Sequence, residues 1–298
     1  MKEAMPDDVT DIRDHYDETA EAEGSRLDRH QLERDVTRRY FDAYLPAHGR
    51  LLEIGAAAGA YTLWLAERGY RIIAVDLSEK LIEQCRRRAA EAGLDSNVDC
   101  RVADARDLAC VPEHDFDAVL LMGPLYHLIL RQDRIRALRE AVERLRPGGL
   151  LFSALLSRLG VMGHLIKHVP RWIGNQTMVR SILERGQDPE DTPKGGFRGY
   201  YVTVDEVTPL HEEVGLETLV VAGVEPGISA YDETYNRLTG AQREQWLDLL
   251  YELSPERLLV ASSRHLLYIG RKPEGWPMRA TARGRQRAGA RGRNRNEP

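Results

Sequence analysis

Two apolar runs bracket a small-residue turn and a helical stretch: Leu51-Leu52-Glu53-Ile54-Gly55-Ala56-Ala57-Ala58-Gly59-Ala60-Tyr61-Thr62, then Ile72-Ile73-Ala74-Val75-Asp76. The spacing predicts strand, tight turn, helix, strand, acid. Glycines in the turn let the backbone approach a ligand where the first strand gives way to the helix, and the helix start points unpaired N–H groups at it. An acid closing the second strand, about 20 residues past the turn, stands where it accepts hydrogen bonds from both hydroxyls of a ribose. The pattern is the outline of a nucleoside-binding site on an α/β sheet.

Two cofactor classes share this outline. A dinucleotide fold has G-x-G-x-x-G with the helix N-terminus against a pyrophosphate; here glycine stands only at Gly55 and Gly59, and alanine fills 56, 57, 58 and 60. Glu53 sits two residues before Gly55 at the strand's carboxyl end, where a carboxylate attracts an ammonium group and repels a pyrophosphate. S-adenosylmethionine carries that ammonium and a ribose, and no phosphate.

Glu53-Ile54-Gly55-x-Ala57-x-Gly59 resembles motif I of the class I S-adenosylmethionine-dependent methyltransferases, with Ala57 where a glycine is usual. Asp76 matches the family's ribose-binding acid, and Val102-Ala103-Asp104-Ala105 resembles the end of strand three, whose aspartate and following amide hold the adenine. Asp115-Phe116-Asp117-Ala118-Val119-Leu120-Leu121 resembles the fourth motif, and Leu145-Arg146-Pro147-Gly148-Gly149-Leu150-Leu151 the turn into strand five. The ordered matches extend over roughly 100 residues, and the general shape is similar to bacterial small-molecule enzymes of the family over residues 10 to 272. The resemblance implies a Rossmann-like seven-stranded sheet, with strands one to five parallel, six and seven an antiparallel pair, and helices on both faces. It also implies S-adenosylmethionine as cofactor. The residues expected to hold it are Glu53, Gly55, Ala57 and Gly59 of the turn, Asp76 and Leu77, Asp104 and Ala105, and Met122. Tyr16, in the place where relatives close a lid tyrosine over the cofactor, joins them.

Alternation of strands and helices supports the same architecture. Strands are predicted near 50–54, 71–75, 98–102, 117–121 and 150–154, with helices near 60–68, 78–92 and 132–145 and a sharp turn at Pro147-Gly148-Gly149. Ahead of them, residues 8 to 46 read as two helices, the second with Leu32, Val36, Tyr40, Phe41 and Tyr44 at helical spacing. The expected organisation is a helical lid over 1–46, the cofactor core over 47–156, a glycine- and proline-rich cap over 157–204, completion of the sheet over 205–272, and a basic tail over 273–298. Within the fourth part a helix at 205–214, a strand at 216–223, a helix near 239–253 and a strand at 265–270 are expected, with residues 224 to 264 inserted between the strands.

Charge separates tail from body. Residues 271 to 298 carry nine Lys/Arg against two Glu, so with a total net charge of −5 the other 270 residues hold about −12. An acidic body is a poor general surface for nucleic acid, whose phosphates supply most nonspecific binding energy. The tail's Ala282-Arg283-Gly284-Arg285 and Ala290-Arg291-Gly292-Arg293 resemble RNA-binding arginine-glycine segments, or simply a solubilising terminus. The longest uncharged apolar stretch, Ala118 to Leu130, is too short to span a bilayer and is broken by Gly123-Pro124. With no secretion signal at its start, the chain is expected in the cytoplasm. Cys85, Cys100 and Cys110 have neither disulfide-framework nor zinc spacing, and no metal is expected.

Methyl transfer to an acceptor atom is a single in-line displacement, so positioning and exclusion of water carry most of the catalysis. An alcohol, thiol or acidic carbon needs a base; an amine need only arrive neutral. Reacting groups of an open α/β sheet gather at the carboxyl ends of its strands, which draws attention to Met122-Gly123-Pro124-Leu125-Tyr126-His127-Leu128. His127 is the candidate base, or a histidine packed under the cap. Tyr126 walls the cofactor or acceptor, or belongs to the core. Tyr200 and Tyr201 reach the acceptor from the cap, or serve a strand edge.

Nucleobase enzymes are the natural competitors. Gly123-Pro124-Leu125-Tyr126 only half matches the Asn/Asp-Pro-Pro-aromatic turn that holds a flipped base, and no cysteine follows a proline at that strand end. A small-molecule acceptor is the resulting expectation. A noncatalytic cofactor-binding module, an RNA-associated regulator using the basic tail, and an RNA methyltransferase stand as alternatives.

Overall fold

The computed structural model describes residues 7–189, 198–227 and 232–275. The arginine-glycine segments of the tail and the Gly195-Gly196-Phe197 stretch lie outside them. Eight strands form one sheet: β1 (Arg50–Ile54), β2 (Arg71–Asp76), β3 (Val98–Val102), β4 (Phe116–Leu121), β5 (Leu145–Ser157), β6 (Tyr201–Val202), β7 (Glu217–Gly223) and β8 (His265–Arg271). Their order is β3-β2-β1-β4-β5-β8-β7, with β6 beside the end of β5. β8 alone runs against its neighbours, antiparallel to both β5 and β7.

β1 lies between β2 and β4, and Leu51, Leu52, Glu53 and Ile54 are all buried. Side chains alternate across a strand, so Leu52 and Ile54 join the core under helices Arg131–Arg144 and Val204–Glu212. Leu51 joins the opposite core, against Gln31–Tyr44, Ala60–Ala66 and Gly240–Leu253. Glu53 shares Leu51's parity and therefore points to that second face, where Thr62 meets it. One carboxylate thus enters a layer otherwise built of Leu51, Phe41, Tyr61 and Phe152.

Three expectations are corrected. The sheet has eight strands rather than seven, because Tyr201–Val202 pairs in parallel with Leu156 and Ser157; two residues are too few to show a period. Pro147-Gly148-Gly149 is no sharp turn. Helix Arg131–Arg144 passes directly into β5, and the extra residues are absorbed by a register shift between Phe116, opposite Leu145, and Ala118, opposite Leu150. Finally, the amino-terminal region has four helical pieces, Thr10–Glu18, Ala20–Glu23, Arg26–Arg29 and Gln31–Tyr44. The hydroxyls of Thr19 and Ser25 donate to the carbonyls of His15 and Ala22 at 2.8 and 3.3 Å, the local competition that interrupts helices at such residues. Among the described residues no helix is long and apolar enough to cross a membrane.

Candidate active site

The carboxyl ends of β1, β2 and β4, the amino end of β8 and the amino-terminal helices enclose a cavity of about 270 Å³. Gly55 and Gly59 shape the turn on its floor, with φ of +81° and +85°. A Cβ on Gly55 would lie 2.8 Å from the Met122 carbonyl and 2.6 Å from Pro124 Cδ, so only glycine lets the two strand ends close together here. Gly59 does not line the cavity; a Cβ there would meet Cys85 Sγ at 2.6 Å, and its glycine serves helix packing instead. Ala57 is also left-handed, at φ 47°, a conformation that costs a residue with a Cβ about 1 kcal/mol.

Glu53, Asp76 and Asp104 all line this cavity, with Leu77, Ala105 and Met122. Glu53 is 1% exposed and accepts a hydrogen bond from Thr62 Oγ1 through one oxygen, while its other oxygen has no hydrogen bond among the described residues. Burial pushes its carboxyl up to about 8. Asp76 accepts from Ala57 N at 2.8 Å and Ser78 N at 2.9 Å; burial outweighs these bonds and raises it to about 6. Asp104 is clasped by Arg106, whose Nη2 lies 2.6 Å away and whose Nη1 reaches Asp133 at 2.8 Å.

The amino-terminal helices close over these acids. Asp17 accepts from Ser78 Oγ at 2.5 Å, Arg88 donates to the Gly24 carbonyl at 2.9 Å, and Arg198 binds Asp7, Asp11 and the Asp8 carbonyl. Tyr16 lines the cavity and donates through its hydroxyl to His127 Nε2 at 2.7 Å. His127 Nδ1 donates in turn to the Arg198 carbonyl at 2.9 Å. Both ring nitrogens are engaged, and burial lowers the ring to about 4, so His127 is neutral near pH 7.

Tyr126 lines the cavity and also packs on the cluster of Leu156, Val161, Ile182 and Tyr201; burial pushes its hydroxyl up to about 12. Tyr200 and Tyr201 are not among the cavity's lining residues, contrary to the expectation that they reach an acceptor. Tyr200 donates to Glu206 at 2.7 Å and lies under the Arg134 guanidinium, whereas Tyr201 is buried in the same cluster as Tyr126.

The same cavity is lined by residues that sequence reasoning missed: Arg26, Glu33 and His265, the last paired with Glu225. Arg26 holds Glu33 through two bonds of 2.7 and 2.8 Å. A signal for Glu33 exists, since it shares the helical stripe of Val36 and Tyr40, where a charge is out of place. Glu225 and His265 stand 40 residues apart and carry no such mark.

Residues 51–149 match the family model described as a methyltransferase domain. Among curated proteins the chain is 34% identical over 139 residues to a ubiquinone biosynthesis O-methyltransferase of Xanthomonas axonopodis pv. citri, covering 46% of this chain and 56% of that one. It is 35% identical over 127 residues to that of Caulobacter vibrioides, covering 41% and 48%. The chain thus spans about half the length of the curated relatives it matches. Among solved structures it is similar to a methyltransferase from Streptomyces caelestis, at TM-score 0.51 and 20% identity, covering 80% of this chain and 94% of that one. The magnesium protoporphyrin IX methyltransferase of Synechocystis with bound S-adenosylhomocysteine aligns at 0.55 and 14%, covering 89% and 100%. Likeness at this identity is one of fold.

Residues 51–149 are thus a methyltransferase domain, with the motif order and fold of the class I S-adenosylmethionine-dependent methyltransferases. The donor set fits that family's cofactor: an acid with an open oxygen at the turn and a second at the end of β2, both lining one cavity.

Proposed function

We propose that this chain transfers a methyl group from S-adenosylmethionine to a hydroxyl of a small-molecule acceptor. The observation that carries the reading is the convergence of Glu53, Asp76 and Asp104 on one cavity that Arg26, Glu33, Tyr126 and His265 also line. In this reading Glu53 faces the methionine ammonium, Asp76 the ribose hydroxyls, and Asp104 with Ala105 the adenine. When bound, the cofactor supplies a methyl group activated by a sulfonium. The protein's own part is to hold the acceptor in line with it and keep water out, which the lid helices do by covering the turn.

The relatives' name, an O-methyltransferase, favours oxygen as the acceptor atom. Fold alone would not decide the reaction, since a cyclase aligns at TM-score 0.54, 19% identity and coverage of 81% and 82%. A cavity of about 270 Å³ in an acidic body favours a small molecule over a nucleic acid, and with Cys85, Cys100 and Cys110 as free thiols the reading assigns the enzyme to the cytoplasm. Calorimetry with S-adenosylmethionine, then release of S-adenosylhomocysteine across a panel of phenols, alcohols, thiols and amines, tests it. Binding without turnover on any acceptor points to a noncatalytic module; turnover only on RNA overturns the small-molecule assignment.

A further inference from the structure

We propose that His265, oriented by Glu225 and Glu33, is the general base that takes the proton of the acceptor's hydroxyl, and that His127 is a positioning residue for Tyr16. The inference rests on the methyl-transfer reading above. His265 opens β8 opposite Leu156 of β5, three residues beyond Ser153, the partner of Leu121 at the end of β4. Because β8 runs backwards, its first residue lands on the edge of the sheet where β1, β2 and β4 finish, and its side chain lines the cavity.

The surroundings of its ring assign a tautomer. Nδ1 lies 3.0 Å from Glu225 Oε2 and 3.2 Å from Glu33 Oε2. Carboxylates only accept, so Nδ1 carries the hydrogen and Nε2 the lone pair. The Arg264 Nε is 3.2 Å from the same nitrogen, but two anions outweigh one guanidinium in setting the proton. Glu225 Oε2 also accepts from the backbone N of His265 at 3.0 Å, which fixes carboxylate and ring together. Nε2 has no hydrogen bond among the described residues. A histidine whose Nδ1–H rests on a buried carboxylate and whose Nε2 is open is the arrangement in which imidazole accepts a proton and the carboxylate stabilises the imidazolium.

His127 has the opposite arrangement. Its Nδ1–H is spent on a neutral carbonyl and its Nε2 on the Tyr16 hydroxyl. It holds Tyr16 over the cavity and has no lone pair to offer.

Charged groups face His265 from every neighbouring element. Glu33, Arg26 and His30 come from the amino-terminal helices, Glu225 from the loop after β7, Arg264 from its own strand's approach, and His164 from the cap, 2.6 Å from Arg264 Nη1. The two carboxylates balance the two guanidiniums, so a proton arriving on Nε2 gives the group one net positive charge, held on a ring whose Nδ1 lies 3.0 and 3.2 Å from the two anions. Glu33, Glu225 and His265 place ligand atoms within 4.8 Å of one another, a grouping of the kind that holds a metal. Their carboxylates are already paired with Arg26 and Arg264, which favours a proton relay over a cation site.

The step balances as follows: the acceptor's O–H bond breaks with its proton going to Nε2, and the oxygen forms a bond to the methyl carbon. The methyl–sulfur bond breaks with its electron pair staying on sulfur, and the proton later leaves to solvent.

On the full chain, nitrogen NMR of the histidine rings is expected to show His265 protonated at Nδ1 and bare at Nε2. Diethyl pyrocarbonate is expected to modify His265 and spare His127, read by peptide mass spectrometry. With catechol as the probe acceptor, His265→Ala should lower turnover by about 10²-fold or more and flatten its pH profile, the scale of a lost general base. Calorimetric affinity for S-adenosylmethionine should stay within about twofold of wild type, because no cofactor contact is removed. A hydrogen on Nε2, an unmodified His265, undiminished turnover in His265→Ala, or activity lost to chelation and restored by a divalent cation each overturns the base role. If the wild-type chain fails to bind S-adenosylmethionine, the methyl-transfer reading itself falls; if it binds and His265→Ala still turns over, only the base assignment does. Should catechol not be an acceptor, the tautomer and the modification pattern decide.

Discussion

The two ends of the cavity are built in different ways. The group proposed above to hold the cofactor comes, Tyr16 apart, from one stretch of chain, Glu53 to Met122, in which each residue sits at or next to the end of a strand. The group proposed to face the acceptor draws Arg26 and Glu33 from the amino-terminal helices, Tyr126 from the turn after β4, Glu225 from the loop after β7 and His265 from β8. The matched methyltransferase domain covers residues 51–149 and so contains Glu53, Asp76, Asp104 and Met122 but not Tyr16, and of the second group only Tyr126. Chemistry common to a family can be local in sequence because backbone geometry alone creates it. In the proposed reading, the chemistry that would distinguish one acceptor from another is a product of tertiary assembly.

The largest expected effect tests the cofactor end. Asp76→Ala should weaken S-adenosylmethionine binding by about tenfold to a hundredfold in calorimetry, the worth of hydrogen bonds to a charged group. Unchanged affinity would break the comparison by removing the β2 acid from the cofactor site.

A pH series sharpens it. Burial holds the Glu53 carboxyl near 8 in the unliganded protein, and an ammonium beside it would favour the carboxylate, so binding below that pH should release a proton. Affinity should then rise with pH, by up to about tenfold per unit between 6 and 8, and the enthalpy should depend on the buffer's own ionisation. Stability of the unliganded protein should move the other way. A carboxyl raised on folding stabilises below its unfolded value, and that contribution is lost as pH climbs through the folded one. Tm should fall toward pH 8, and Glu53→Gln should flatten the decline. A pH-independent affinity would mean that Glu53 does not meet a cation.

Arg198→Ala probes the join between the two ends. Its guanidinium ties Asp7 and Asp11 of the lid to the segment whose carbonyl holds His127. Its loss should weaken cofactor binding by about threefold to tenfold, with faster amide exchange confined to residues 10–18, as expected when a part-buried charge pair is broken. An unaltered exchange pattern would show that the lid is held by packing alone. The smallest effect is expected at Ala57→Gly, which relieves a left-handed alanine and should raise stability by about 0.5–1 kcal/mol, about 1–4 °C in Tm. A lower Tm would mean that the methyl earns more by packing than its φ of 47° costs.

The same division governs what could be read from the chain. Strands β1 to β4 fall within a residue of their expected positions, because apolar runs bounded by turns are a local signal. Glu53, Asp76 and Asp104 are legible for the same reason, each lying within two residues of the end of such a strand. His127 was legible as a residue at the right strand end, but its partners Tyr16 and Arg198 lie 111 and 71 residues away, so its engagement at both nitrogens was not. His265 stood in plain view at the head of a predicted strand. Only the antiparallel course of that strand, and the carboxylates gathered from two other elements, turn it toward the cavity.

The late position of β8 also bears on how the chain comes into being. β5 pairs on one side with β4, close in sequence, and on the other with β8, from Leu150 opposite Arg271 to Leu156 opposite His265. Until that last strand is synthesised, β5 is an open edge lined by Leu151, Phe152 and Leu155, a template for pairing with another nascent chain. The cofactor end, by contrast, has all of its strands once β4 has emerged. The strand that finally covers this edge is also the one that carries His265.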